Sequence, residues 1–169
     1  MTATALIVSG DASFAETMET VLRQWGLVVV HQQDAAEQDG EGIAVALIDI
    51  RLQADERLDF LASLKGRHPR IEAILINRAD NIPPSIAGMR AGAADELITP
   101  FDTDTLKNKI FAALSRQRQK NKRSLLKRFG DAMAAATFAQ AGEFDTAVAM
   151  LETPPEERPD GKQKRKKSP

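Results

Sequence analysis

Six apolar residues run into a single carboxylate in the stretch Ile43-Ala44-Val45-Ala46-Leu47-Ile48-Asp49. An unbroken apolar run of this length, without the alternation of a half-exposed strand, is typical of a strand buried on both faces of a parallel sheet. The run therefore predicts a central strand over residues 43–48. It places Asp49 at the carboxyl end of that strand, where open parallel sheets carry their functional side chains.

Four further apolar runs flank this stretch, at residues 6–8, 27–30, 71–76 and 97–98. Segments with helical spacing alternate with them, and five alternating strands predict an α/β fold with a doubly wound, five-stranded parallel sheet of the flavodoxin-like type. The strands at residues 6–8 and 27–30 are expected to be buried. Ser13 and Glu16 form a capping box that predicts where the first helix begins, and Gly26 is placed to end it.

Composition excludes several kinds of chemistry. The chain of 169 residues has no cysteine and only two histidines, so disulfide, thiolate and ordinary zinc chemistry are not expected. No apolar run reaches the roughly 18 residues of a membrane span, and the first residues lack the basic region of a signal peptide. The sequence predicts a cytoplasmic protein that has no membrane partner.

Charge divides the chain into unequal parts. Residues 1–115 carry 10 basic and 17 acidic side chains, a net charge of −7, whereas residues 116–169 carry 13 and 7, a net charge of +6. The division predicts three regions: an α/β domain over residues 1–115, a basic helix and helical hairpin over residues 116–153, and a disordered basic tail over residues 154–169.

Two separate segments resemble the response-regulator receiver domains, the CheY-like family. Ala46-Leu47-Ile48-Asp49-Ile50-Arg51-Leu52 resembles their phosphoacceptor strand, and residues 91–102, AGAADELITPFD, resemble their fifth-strand segment. The resemblance covers about residues 4–115. It implies phosphorelay signal transduction in a two-component system, with a sensor kinase or another signalling protein as partner and Asp49 as the phosphoacceptor.

The metal side of the implied site departs from the family pattern. Ser9 and Gly10 stand where the family places the acidic pair that holds magnesium. Asp49 remains, Asp11 lies one position past the usual pair, and the family implies a carbonyl ligand near Arg51. Because Mg²⁺ needs several hard oxygen ligands, a site built on Asp49 and Asp11 is expected to bind it weakly.

The phosphoryl side departs as well. Asn77 stands where a Thr or Ser usually contacts the phosphoryl group, Glu96 at the usual aromatic switch position, and Thr99 where the family has a lysine. Pro100 is retained. These changes indicate a degenerate, pseudo-receiver site. The alternative for Asp49 is an inherited strand-end carboxylate that caps a loop.

A second resemblance lies near the carboxyl end of the chain. Residues 138–151, FAQAGEFDTAVAML, resemble one helical hairpin of a tetratricopeptide repeat. A single repeat cannot bury its faces alone, so it is expected to pack on a second copy in a homodimer, on the receiver or on a partner helix.

The predicted function is a signalling module that acts by protein–protein interaction, as a phosphorylatable switch or as a constitutive docking piece, without catalytic residues. The alternative is a nucleic-acid-binding, RNA antiterminator-like regulator that uses the basic carboxyl-terminal helices. The basic run at residues 116–128 has no aromatic side chain for base stacking. Nucleic acid is therefore not the expected partner, and an enzyme on this sheet is not expected either.

Overall fold

The computed structural model describes residues 2–32 and 40–140, which form a parallel sheet flanked by helices. The strands stand in the order β2-β1-β3-β4-β5, and every paired strand is parallel. This confirms the predicted flavodoxin-like fold. The elements are β1 Thr4–Val8, α1 Ala12–Gln24, β2 Val28–Gln32, β3 Ile43–Asp49, α2 Ala54–Arg67, β4 Glu72–Arg78, α3 Ile82–Arg90, β5 Asp95–Thr99 and α4 Thr103–Gln140.

Apolar side chains fill the space on both faces of the sheet. One cluster joins the sheet to α1 and α4 through residues such as Leu22 and Ile110, and the other joins it to α2 through Leu61 and Leu64. Burying a leucine or isoleucine stabilises the fold by about 1.5–3 kcal/mol. Every residue of β3 is buried, because helices cover it on both faces.

The first helix begins earlier than predicted. Its N-cap is Asp11, whose Oδ1 accepts a hydrogen bond from the Phe14 backbone N–H at 3.0 Å. The predicted capping box is therefore wrong, because Ser13 already lies within the first helical turn. The helix ends as predicted: Trp25 caps it, and Gly26 follows with φ of 81°, a conformation that favours glycine.

The second strand is less buried than predicted. β2 has β1 as its paired neighbour in the described sheet, so it lies at an edge. Val29 is buried, but Val28 is 50% exposed and the rest of the strand is partly exposed. The apolar run at residues 27–30 does not distinguish an edge strand from a central one, which is why the prediction of full burial is wrong.

The last helix, α4, continues without interruption from Thr103 to Gln140 and contains the basic run. The chain divides into two compact units, Met1–Asn121 and Lys122–Pro169. In the second unit the described residues are helical, and Leu125, Leu126, Phe129 and Met133 are exposed. The greater part of the predicted hairpin and the predicted tail lie outside the described residues.

Among residues 2–32 and 40–140, none of the helices combines the length and the apolar character that crossing a bilayer requires.

Candidate phosphoacceptor site

The reversal in strand order brings the first site residues together. β1 lies between β2 and β3, so the chain leaves the sheet in opposite directions after β1 and β3 and opens a crevice at their carboxyl ends. Val8 is in register with Ile48, which places Ser9 beside Asp49 although 40 residues separate them in sequence. Both side chains are buried, and Asp49 is only 4% exposed.

The Asp49 carboxylate accepts hydrogen bonds on both oxygens. Oδ2 accepts from the Ser9 hydroxyl at 2.7 Å and from Nη2 of Arg51 at 2.8 Å. Oδ1 accepts from Nε of Arg51 at 2.9 Å and from the Arg51 backbone N–H at 3.1 Å. The guanidinium and the carboxylate thus form a bidentate pair, the strong form of this interaction.

Local backbone geometry explains why Arg51 turns back on Asp49. Ile50 is fully buried and continues the pairing with β4, since its N–H donates to the Ile76 carbonyl at 2.9 Å. The chain turns directly after it, and the Arg51 N–H donates to the Asp49 side chain two residues earlier, which is the hydrogen bond of an Asx turn. The turn directs the Arg51 side chain over the end of β3.

The environment of Asp49 keeps its carboxyl group charged. Burial alone would raise the pKa of Asp49, because desolvation disfavours the ionised form. Hydrogen bonds from the Arg51 side chain, from Ser9 and from the Arg51 backbone, together with the positive charge of Arg51, outweigh burial and lower the pKa. The hydrogen bond to Asp49 in turn raises the pKa of Arg51. Asp49 is therefore an ionised carboxylate whose charge is neutralised in place.

Arg51 also contacts Asp11 and Phe14. Its Nη2 lies 3.5 Å from Oδ2 of Asp11, and its Cζ lies 4.3 Å from the centroid of the Phe14 ring, within the range of a cation–π contact. The other oxygen of Asp11 accepts the capping hydrogen bond of α1. Both oxygens of Asp11 thus have partners within the chain.

These residues do not fit a magnesium ion as they are arranged. Mg²⁺ takes oxygen ligands at about 2.0–2.1 Å in an octahedral shell. Nη2 of Arg51 stands 2.8 Å from Asp49 and 3.5 Å from Asp11, where a cation would have to stand to touch both carboxylates. Ser9 supplies a hydroxyl that already donates to Asp49, and Gly10 has no side chain. In the described part of the chain no three acidic, histidine or cysteine side chains gather as a metal-binding group.

Asn77 and Glu96 lie in a separate polar cluster. Asn77 is fully buried at the end of β4, and its Nδ2 lies 2.9 Å from the Ser85 hydroxyl and 3.1 Å from Oε1 of Glu96. The Ser85 hydroxyl donates to the same Glu96 oxygen. Asn77 and Asn81 exchange further hydrogen bonds at the start of α3. Glu96 is therefore directed inward by hydrogen bonds.

Thr99 and Pro100 contribute no charge to the crevice. The Thr99 hydroxyl donates to the Asn77 backbone carbonyl at 3.0 Å, so it is hydrogen-bonded within the sheet. The Thr99–Pro100 peptide bond is cis. Thr99 is neutral and offers no positive charge to Asp49. Among the described residues, the cation that contacts Asp49 is Arg51.

The structure thus gathers part of the predicted set around Asp49 and leaves part of it apart. Ser9 and Asp11 join Asp49, whereas Asn77, Glu96 and Thr99 bond to one another or to Ser85. Four residues of these clusters are not among the candidate site residues of the sequence analysis: Arg51, considered there for a carbonyl alone, Phe14, Asn81 and Ser85. The Asp-Ile-Arg spacing after a buried strand is the signal for Arg51, but no comparable signal exists for Ser85.

Relatives with known names are response regulators. No protein-family model matches the chain. The transcriptional regulatory protein ZraR of Salmonella typhimurium is 27% identical over 149 residues, covering 86% of this chain and 32% of ZraR. The uncharacterized transcriptional regulatory protein YkoG of Bacillus subtilis is 27% identical over 169 residues, covering 88% of this chain and 72% of YkoG.

Solved structures share the fold. NtrX from Brucella abortus superposes with a TM-score of 0.68 at 26% identity, covering 75% of this chain and 30% of NtrX. The receiver domain of that protein has a TM-score of 0.60 at 25% identity, covering 66% of this chain and 98% of the domain. A CheY-like receiver domain protein from Methanospirillum hungatei, with a TM-score of 0.63 at 23% identity over 71% of this chain and 99% of its own, supports the fold alone.

The sheet order and these relatives point to one class of protein. They support a two-component receiver module for the described α/β unit, which has the fold of response-regulator receiver domains. Receiver domains of this class are generally signalling domains without enzymatic activity, and response regulators interact with kinases and other partners. The comparisons do not favour the RNA antiterminator-like alternative.

The comparisons leave other expectations untested. The chain spans about a third of the length of ZraR, so the activities of the whole relatives do not carry over to it. ZraR and YkoG are named as transcriptional regulators, so the expectation that nucleic acid is not a partner stays a prediction. The cytoplasmic location, the homodimer and the tetratricopeptide-like hairpin also stay predictions.

Proposed function

We propose that this receiver module signals by contacting partner proteins, and that Asp49 receives any phosphoryl group that it takes up. The observation that carries the proposal is the bonding of Asp49. Its carboxylate stands at the carboxyl end of β3, as a phosphoacceptor requires, but both oxygens already accept two hydrogen bonds each. The proposed module is therefore a pseudo-receiver with a slow acceptor.

The bonding of Asp49 slows the chemistry for a direct reason. In transfer from an acyl phosphate, a carboxylate oxygen forms a new bond to phosphorus, while the bond from phosphorus to the acyl oxygen breaks and the carboxylic acid leaves as its anion. The attacking lone pair on Asp49 must first lose a hydrogen bond to Arg51 or Ser9. A hydrogen bond to a charged group contributes about 1.5–3 kcal/mol, so this step adds to the barrier.

The neighbourhood of Asp49 also offers little help to the incoming phosphoryl group. Charge on its oxygens is normally stabilised by cations placed in advance. Thr99 supplies no positive charge, and the positive charge of Arg51 is already paired with Asp49 and Asp11. Within this proposal the module does not turn over a substrate, and slow phosphorylation cannot be its main input.

A docking role remains for such a module. A sensor kinase or another signalling protein would be recognised through the surface of the folded receiver, whose shape does not depend on a phosphoryl group. A homodimer is the other expected assembly. The exposed leucines, Phe129 and Met133 in the second unit supply apolar surface that either assembly could cover.

The experiment is a time course with Mg²⁺ and acetyl phosphate, followed by intact mass. The expected result is a slow gain of one phosphoryl mass that Asp49→Asn removes. Asp55→Asn, an exposed carboxylate in the first turn of α2, is the matched control and should behave like the unaltered protein. Rapid and complete labelling would contradict the docking role, and labelling that persists in Asp49→Asn would contradict the acceptor assignment.

A further inference from the structure

We infer that Arg51 is an internal counter-cation that takes the place of the metal ion and keeps the Asp49 site closed. This inference rests on the proposed function, because it names what regulates the same site. Two features together make the site degenerate. One is the missing acidic pair at Ser9 and Gly10, and the other is the cation that Arg51 places in the turn between β3 and α2.

The first support is positional. Nη2 of Arg51 lies between Oδ2 of Asp49 at 2.8 Å and Oδ2 of Asp11 at 3.5 Å. A divalent cation that bridged these two carboxylates would need the same space. The guanidinium supplies one positive charge in that space. Because it is part of the chain, this charge does not depend on the concentration of a metal ion in solution.

The second support is that the Arg51 side chain is held from several directions. The Arg51 backbone N–H forms the Asx turn with Asp49. Nε and Nη2 of the guanidinium donate hydrogen bonds to the Asp49 carboxylate, and the guanidinium lies over the Phe14 ring. The Arg51 side chain is 21% exposed, whereas a surface arginine such as Arg23 is 60% exposed in its pair with Glu19. The planar guanidinium makes several of these contacts at once, so less side-chain entropy is lost for each hydrogen bond that it forms.

The third support is the change of residue types around Arg51. Ser9 replaces a carboxylate with a hydroxyl that donates to Asp49, and Gly10 removes another acidic side chain. With those two positions acidic, the crevice would carry a strong negative charge that attracts a cation from solution. With Ser9, Gly10 and Arg51 present, the charge of Asp49 is balanced inside the chain.

The inference predicts that removing the guanidinium uncovers a latent metal site. In Arg51→Met the apolar stem can still pack on Phe14, while Asp49 and Asp11 lose their shared cation. Mg²⁺-type ions keep several waters and take one or two carboxylates from the protein, so the freed Asp49 and Asp11 would form a site that is weak but stronger than in the unaltered protein. We expect affinity for Mn²⁺, a paramagnetic ion of similar ligand preference, to rise at least about tenfold, equivalent to ~1.4 kcal/mol.

The test is a titration of the 169-residue chain with Mn²⁺, monitored by electron paramagnetic resonance of the free ion. The unaltered protein and Arg23→Ala, a matched arginine in an exposed pair, should bind weakly and alike. Arg51→Met should bind at least tenfold more tightly, and adding Asp49→Asn should abolish the gain. Equal affinity in the unaltered protein and Arg51→Met would overturn the inference, and so would tight binding by the unaltered protein.

A second measurement keeps the test decisive if Arg51→Met fails to fold. In ¹⁵N-edited spectra of the unaltered protein, the Arg51 Nε–H should give a protected signal that does not move when Mg²⁺ is added. A shift or broadening of that signal by Mg²⁺ would overturn the inference. Neither measurement depends on phosphoryl transfer. The phosphorylation experiment can therefore contradict the proposed function while the role of Arg51 stands, and the metal titration can contradict the role of Arg51 while the proposed function stands.

Discussion

Glu72 and Arg116, 44 residues apart in sequence, form an ion pair at the amino end of the sheet, with Oε2 of Glu72 2.9 Å from Nε of Arg116. Lys120 approaches the other carboxylate oxygen at 2.6 Å. The Glu72 side chain is 1% exposed, while the two cations are partly exposed. The buried Glu72 on β4 thus connects the basic stretch of α4 to the sheet, at the end of the strands opposite to Asp49.

Removing the cations of this ion pair should lower the unfolding free energy more than removing its buried acid. Replacing both cations, as Arg116→Met with Lys120→Met, leaves a buried carboxylate without its two ion-pair partners and should cost about 3 kcal/mol of unfolding free energy. Glu72→Leu removes the buried charge, and the two partly exposed cations can turn into water, so it should cost far less. Urea unfolding of the three proteins measures both values. A larger loss in Glu72→Leu than in the double variant would contradict this account of the pair.

Acid should destabilise the receiver through the same carboxylates. Burial would raise the pKa of Glu72, but hydrogen bonds from Lys120 and Arg116 and the charges of both outweigh burial and lower it; the pKa of Asp49 is lowered likewise. A group with a lowered pKa stabilises the fold above its unfolded pKa, about 4 for these groups, and loses that contribution as pH falls through its folded pKa.

The unfolding free energy should therefore hold steady from neutral pH to about 5 and decline in more acid solution. Urea midpoints across this range measure it, and Glu72→Gln should decline less steeply than the unaltered protein. A free energy that is constant or rises below pH 4 would contradict the assigned direction of these shifts.

Two helical glycines provide a matched test of packing. A Cβ built on Gly88 of α3 would stand 2.2 Å from Cδ1 of Leu75, a fully buried side chain, whereas one on Gly66 of α2 would meet nothing within 4 Å. Gly88→Ala should cost about 1–3 kcal/mol through overpacking. Gly66→Ala should stabilise by up to about 1 kcal/mol through helix propensity. Thermal unfolding of both variants checks the pair, and a stabilising Gly88→Ala would show that α3 does not pack closely on β4.

The sequence predicts the framework because its signals are local. The apolar runs mark the five strands, and the alternation with helical segments leads to a parallel sheet whose carboxyl ends hold Ser9, Asp49 and Asn77. The edge position of β2 is not local, since it depends on which strands pair. For that reason the burial of Val28 is predicted wrongly.

The side-chain partners are harder to predict than the positions. Arg51 has several rotatable bonds, and its direction follows from the turn after Ile50 and from the nearness of Asp11 across the crevice. Glu72 is visible as a lone charge in an apolar run, but its pairing with Arg116 requires knowing where α4 lies. Ser85 and Glu96 meet because β5 lies beside β4, a relation that composition and spacing do not carry.

The most direct test of the closed site is a titration of the Asp49 carboxyl carbon, followed by ¹³C nuclear magnetic resonance in the unaltered protein and in Arg51→Met. If Arg51 neutralises Asp49 as described, the carboxyl group titrates below the ordinary aspartate pKa of about 3.9, or stays ionised until the protein unfolds. In Arg51→Met its titration should move upward in pH. A midpoint at or above the ordinary value in the unaltered protein would contradict the account, as would a midpoint that Arg51→Met leaves in place.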